Sequence, residues 1–236
     1  MVAEEEKLDL LNRMHTTLRY VIGHHHLVPS TTQPASILDV GTGTGTWLME
    51  VAMEWPDAQC VGVDMSPQFP TTVMPKNCRF HLLDILEEPG LPRLAQSFDF
   101  VHFRFLAMTV PAEAWQRLCD DLWAVTADGG MLQMTGFAFQ LASVGPAGEQ
   151  INRLLRLLAE HSGLDADVNE RLVDLLAVAG FDEVNPITIS LPCGDWGGHV
   201  GRLFLGDFLA QLHTLKPRLL ELCLTDEGTF AHHRFE

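Results

Sequence analysis

The stretch Ile37-Leu-Asp-Val-Gly-Thr-Gly-Thr-Gly-Thr-Trp47 decides the reading of this chain. Ile37 to Val40 is a short apolar run stopped by glycine, as a buried strand would be. Thr46 to Trp55 then has the character of a helix and is closed by Pro56. Gly41, Gly43 and Gly45 therefore lie in a strand-to-helix turn. Glycines there allow tight turning and close approach of the backbone to a ligand, and the helix start adds N–H donors without partners. Such a loop alone is weakly specific, because NAD, FAD and S-adenosylmethionine (SAM) enzymes all use one.

The neighbouring carboxylates narrow the choice. Asp39 sits inside the end of the first strand. Asp64 ends the next apolar run, Cys60 to Val63, and Asp84 ends a third, Arg79 to Leu83. Each alone has a structural explanation: Asp39 as a loop organiser, Asp64 before Ser66-Pro67 as a turn former, Asp84 as a strand-end cap. Together they suit an adenosyl cofactor carrying an ammonium and a sulfonium. Asp39 would favour the cationic end, Asp64 would accept two ribose hydroxyls, and Asp84 would meet an adenine amino group. Met65 and Ile85 follow two of these carboxylates and would sandwich the ring.

Outward from this core, residues 4–22 read as an amphipathic helix, followed by His24-His25-His26 and a Pro/Ser/Thr loop. Phe98 to Phe103 reads as a fourth strand, 112–125 as a helix, Asp128-Gly-Gly130 as a turn, and Met131 to Thr135 as a fifth strand. Helices at 147–161 and 168–179 follow, the second stopped by Gly180. Val184 to Leu191 alternates as a strand, and 200–224 reads as helical. The order predicts an α/β fold, a doubly wound and mostly parallel sheet with an N-terminal helical lid. Residues 1–36 form the cap and 37–236 the cofactor-binding domain.

Composition sets outer bounds. The 236 residues are 47% hydrophobic, enough for one full-sized core, and carry a formal charge of −16. Such a surface repels nucleic acid and anionic lipid and favours a small neutral or cationic substrate, or a basic protein partner. The five cysteines have no zinc or redox spacing. With no membrane-length apolar run and no signal-peptide pattern, a cytoplasmic protein with free thiols is expected.

The residues quoted also resemble class I SAM-dependent methyltransferases. More narrowly, they resemble the fungal group related to the regulator of secondary metabolism that joins the velvet complex. The similarity runs through ILDVGTGTGTWLMEVAMEWPDAQCVGVDMSP at 37–67 and VMPKNCRFHLLDILEE at 73–88. FDFVHFRFL at 98–106, DGGMLQMTG at 128–136 and AGFDEVNPITISLPCGDW at 179–196 continue it. It implies SAM contacts at Asp39, Gly41, Gly43, Gly45, Asp64 and Asp84, with Phe103 and Arg104 at the methionine end; Thr42, Met65 and Ile85 complete the expected site. Relatives have a longer N-terminal segment with an aromatic residue over the cofactor, a place Tyr20 would take. They also end in a further strand. This chain stops near His232, so the sheet is expected to lack that strand, or to have its edge covered by another segment, a second copy or a partner.

Candidates for chemistry are few. His102 and His25 are the candidate bases, the former also readable as a hydrogen-bonded core histidine. Arg104 and Trp196 are placed at the substrate mouth with Tyr20. Successive histidines converge poorly on one ion, so no metal is expected. The implied function is SAM-dependent O-, N- or C-methylation of a small molecule, a secondary metabolite. A cyclase or pericyclase on the same scaffold stays open, as does a regulatory SAM-binding subunit without turnover. An NAD oxidoreductase is disfavoured by Asp39.

Overall fold

The computed structural model describes residues 2–29, 31–137 and 140–222. The five apolar runs become strands β1 (Ser36–Val40), β2 (Gln59–Asp64), β3 (Cys78–Leu82), β4 (Phe98–Arg104) and β5 (Thr126–Thr135). They form one parallel sheet in the order β3-β2-β1-β4-β5. The order reverses direction beside β1, and the glycine turn leaves the sheet at that point, where ligands bind in open α/β sheets.

Strand periodicity divides the core into two layers. Leu38, Val40, Val61, Val63, Val101 and Phe103 point to one face. There they meet α3 (Trp115–Val125), which packs on α5 (Val168–Ala179). Ile37, Cys60 and Phe100 point to the other face, against Trp47, Leu48 and Val51 of α2 (Thr46–Glu54). Both faces are buried at β1, β2 and β4, which is why these strands read as continuous apolar runs, whereas the edge strands β3 and β5 are only partly covered.

The N-terminal helix α1 (Val2–Ile22) is tied down at both flanks. Arg13 and Thr17 donate to the Asp207 carboxylate of α6 (Gly198–Glu221) at 3.3 and 2.9 Å. On the other side, Asn12 Oδ1 accepts from the hydroxyls of Thr44 and Thr46 at 2.9 and 3.0 Å. The helix thus lies beside the glycine turn.

Two expectations change. The Asp128-Gly-Gly turn is a bulge inside β5: Phe98 pairs with Thr126 and Phe100 with Met131, and Gly129 takes φ 73°. Residues 184–191 form no strand. Ile187 and Ile189 are both exposed, and no described segment offers a ladder to that stretch. Its alternation is genuine, but alternation describes a strand only where a neighbour satisfies its backbone. Cys60, Cys78, Cys119 and Cys193 are free thiols. Cys223, the end of the expected 200–224 helix and the segment at His232 lie outside the described residues.

Candidate active site

The glycine turn is shaped by backbone geometry that side chains resist. Gly41, Gly43 and Gly45 take φ of 70°, 55° and 74°. The N–H groups of Gly41 and Thr42 both donate to Val63 O at 2.9 Å, pinning the turn to the end of β2. Asp64 completes the fastening, accepting from Gly43 N–H at 2.9 Å through one oxygen and from Ser66 N–H at 2.8 Å through the other. Each carboxylate oxygen keeps a second lone pair. Asp84 accepts from Leu86 N–H at 2.9 Å. Met65 is 67% exposed beside Asp64, and Ile85 is half-buried beside Asp84.

Asp39 behaves differently from the sequence expectation of a carboxylate facing a cation. It is buried, and both oxygens are engaged: Thr42 Oγ1 donates to one at 2.7 Å, and His102 Nδ1 lies 2.8 Å from the other. An ionised carboxylate only accepts, so His102 carries its proton on Nδ1. Burial holds the His102 pKa below the ordinary 6.5, the Asp39 contact opposing it, so the ring is neutral. The imidazole also stacks on Trp47, 3.6 Å between centroids, and is only 1% exposed. It is the hydrogen-bonded core histidine of the blander reading, and Asp39 braces Thr42 from beneath the turn.

The β4 side chains alternate past the site. His102 and Arg104 share the α1 face, whereas Phe103 points to the opposite layer and packs edge-on against Trp115. Phe103 is therefore core, not a lining of the methionine end. The residue that reaches the turn is Leu106: a Cβ added at Gly41 would lie 2.5 Å from its Cδ1. Leu11 of α1 similarly approaches the Cβ position of Gly43, at 3.7 Å. Neither was legible beforehand, since a leucine after a strand or on an amphipathic helix signals only packing.

Beneath α1 lies a polar network with one small cavity of about 10 Å³, lined by His15, His25, His102, Arg104, Gln133 and Thr135 among others. That is room for about one water. Arg104 donates through Nη1 and Nη2 to His15 Nδ1 at 3.2 Å. His15 consequently presents Nε2–H to Glu50 Oε2 at 2.8 Å. Arg19 Nη1 reaches Glu50 at 3.2 Å, and His25 Nδ1 lies 3.0 Å from it. The last contact has the distance but not the angles of a hydrogen bond, leaving that buried nitrogen unsatisfied. Burial lowers the pKa of both His15 and His25, opposed by Glu50 and assisted by Arg104 and Arg19 respectively.

His15, His25 and Glu50 place one ligand atom each within 4.8 Å of one another, the spacing of a metal site. The hydrogen bonding works against a cation. A ligating histidine normally donates its other nitrogen to an acceptor, whereas His15 Nδ1 already accepts from a guanidinium. Arg19 also competes for Glu50. The histidine run contributes through His25 and through His26, which stacks on Trp55 at 4.4 Å and lies 3.3 Å from Glu54. Of the two other mouth residues, Tyr20 is 61% exposed and packs edge-on against His199, and Trp196 is 81% exposed beside Gly194. Neither lines the small cavity beneath α1.

Comparison with known proteins agrees with this geometry. Residues 37–130 match the family model for a methyltransferase domain. Methyltransferase pytC of Aspergillus terreus is 28% identical over 82% of this chain and 59% of its own length. The secondary metabolism regulator laeA of Aspergillus flavus is 27% identical over 82% of this chain and 52% of its own. The chain thus spans little more than half the length of these curated relatives. The solved structure of PigF with SAH superposes at a TM-score of 0.54 and 15% identity, covering 80% of this chain and 55% of that one. Residues 37–130 thus match a methyltransferase domain, and the chain is distantly similar to fungal methyltransferases and to laeA regulators of secondary metabolism.

Proposed function

We propose that this protein binds SAM across the carboxyl ends of β1, β2 and β3 and transfers its methyl group to a small-molecule secondary metabolite. The observation that carries this is the Asp64 carboxylate, fixed by Gly43 N–H and Ser66 N–H with lone pairs to spare at the end of β2. The fixed carboxylate accepts the ribose hydroxyls, and Asp84 accepts the adenine amino group. Met65 and Ile85 flank the ring. Gly41, Gly43 and Gly45 let the backbone approach, with Thr42 held by Asp39. Arg104, half-buried and held by His15, is placed to receive a carboxylate.

SAM supplies a methyl carbon already activated by sulfonium. The chain therefore has to position and to exclude water, and proximity can provide much of the rate. His102, with its Nδ1 proton on Asp39 and its ring under Trp47, has a positioning role instead of a base role. A regulatory reading is supported by the resemblance to laeA. Calorimetry with SAM, followed by incubation of the protein with fungal metabolite extracts and deuterated SAM, separates them. Methyl transfer predicts a labelled product and stoichiometric S-adenosylhomocysteine. A regulator binds and turns nothing over. Failure to bind SAM sinks both.

A further inference from the structure

Between α4 (Pro146–His161), α6 and the segment after β4 lies a cleft of about 240 Å³, partly open to solvent. The amphipathic face of α4 presents Leu155, Leu158 and Ala159 to it, and Leu164, Met108 and Leu215 complete an apolar wall. Its polar residues are Ser162 and Arg218, both exposed to solvent. Close-packed interiors leave few voids larger than a water. A largely apolar concavity with a small number of polar groups is instead the form of a small-molecule site.

Its walls are held in place. Pro111 and Leu164 form an antiparallel bridge, and Ala112 N–H donates to Gly163 O at 2.8 Å. The chain following β4 is thereby fastened to the end of α4. That same segment reaches the glycine turn: Leu106 lies against Gly41, and Met108, two residues on, lines the cleft. One short loop joins the two sites.

We propose that this cleft holds the methyl acceptor, and that the acceptor is a neutral, lipophilic small molecule with an oxygen acceptor directed at Arg218 or Ser162. This rests on the methyltransferase reading. The apolar wall sets the lipophilic class. Neutrality follows from charge: Arg218 is already paired with Glu221 at 2.7 Å, so it offers N–H donors without a net positive site. The chain's −16 charge further disfavours an anion.

Benzophenone is a suitable probe, being neutral and apolar, with one carbonyl oxygen and light-driven insertion into nearby C–H bonds. The full chain is irradiated with it, digested and mapped by mass spectrometry, with 4-benzoylbenzoate as the anionic counterpart. Adducts are expected on Met108 and on the peptides containing Leu155–Leu164 and Leu215. Labelling is expected to fall at least tenfold in Met108→Trp and in Ser162→Trp, and to be at least tenfold weaker for the carboxylate probe. Adducts elsewhere, or labelling unchanged in both folded variants, would overturn the site. Equal or stronger labelling by the carboxylate would overturn the neutral class. SAM calorimetry on the same preparations reports the cofactor reading separately, and circular dichroism melts confirm that each variant folds.

Discussion

Asp64 fastens the glycine turn to the end of β2, and in the proposed function the same side chain presents oxygen to the ribose. Asp64→Asn keeps the shape but replaces one acceptor oxygen with a donor, which then faces a backbone N–H. Losing charge-assisted hydrogen bonds of about 1.5–3 kcal/mol each predicts SAM binding weakened about 10- to 100-fold, read by calorimetry. Gly41 is a second such position. Alanine there must adopt φ 70° and push Leu106 aside. The backbone term alone costs about 1–2 kcal/mol, so Gly41→Ala is expected to lower the melting temperature and abolish SAM binding. A melting temperature equal to the parent's would mean that Leu106 does not pack on the turn. The glycines and acids at this scale were legible in the sequence because special backbone angles and strand-end carboxylates are local properties. Leu106 was not, because its contact depends on how the loop after β4 folds back.

The element that lies beside the glycine turn is α1. Glu50 of α2 gathers three of its ties, to His15 and Arg19 of the helix and to His25 just beyond it. Glu50→Gln removes the charge that balances Arg19 and Arg104 and costs one acceptor oxygen. Because His15 is buried and Arg19 is half exposed, most of the effect comes through His15. A cost of about 1–2 kcal/mol predicts amide exchange across residues 8–22 faster by about 5- to 30-fold, measured by hydrogen exchange. Exchange unchanged from the parent would assign the stability of α1 to the Arg13–Asp207 and Asn12 contacts instead. The helix itself was visible as a periodic pattern. Its docking partners were not, since Asp207 lies 190 residues from Thr17. The alternating stretch 184–191 shows the reverse case, a local pattern without the neighbour needed to make it a strand.

For the whole molecule, three buried or half-buried histidines set the pH response. His15, His25 and His102 all have pKa values below the ordinary 6.5, chiefly through burial. As pH falls below 6.5, the unfolded chain takes up protons at these sites that the folded chain does not. Stability is therefore fully present above that pH and is lost as pH falls toward the depressed folded values. Melting temperatures are expected to decline steadily below pH 6.5, with a shallower slope in His15→Gln. A flat profile between pH 7.5 and 5 would contradict the neutral network. No helix among the described residues is long and apolar enough to cross a membrane. The sequence by itself determined the parallel sheet, the glycine turn and the three acids at its strand ends, because apolar runs, glycine and strand-end carboxylates act through neighbours in the chain. Only the tertiary structure decided what each acid faces. Asp39 turns inward to His102, 63 residues away, and Arg104 reaches His15 across 89. Such pairings are made by the burial of two faces against one sheet, and no local pattern contains them.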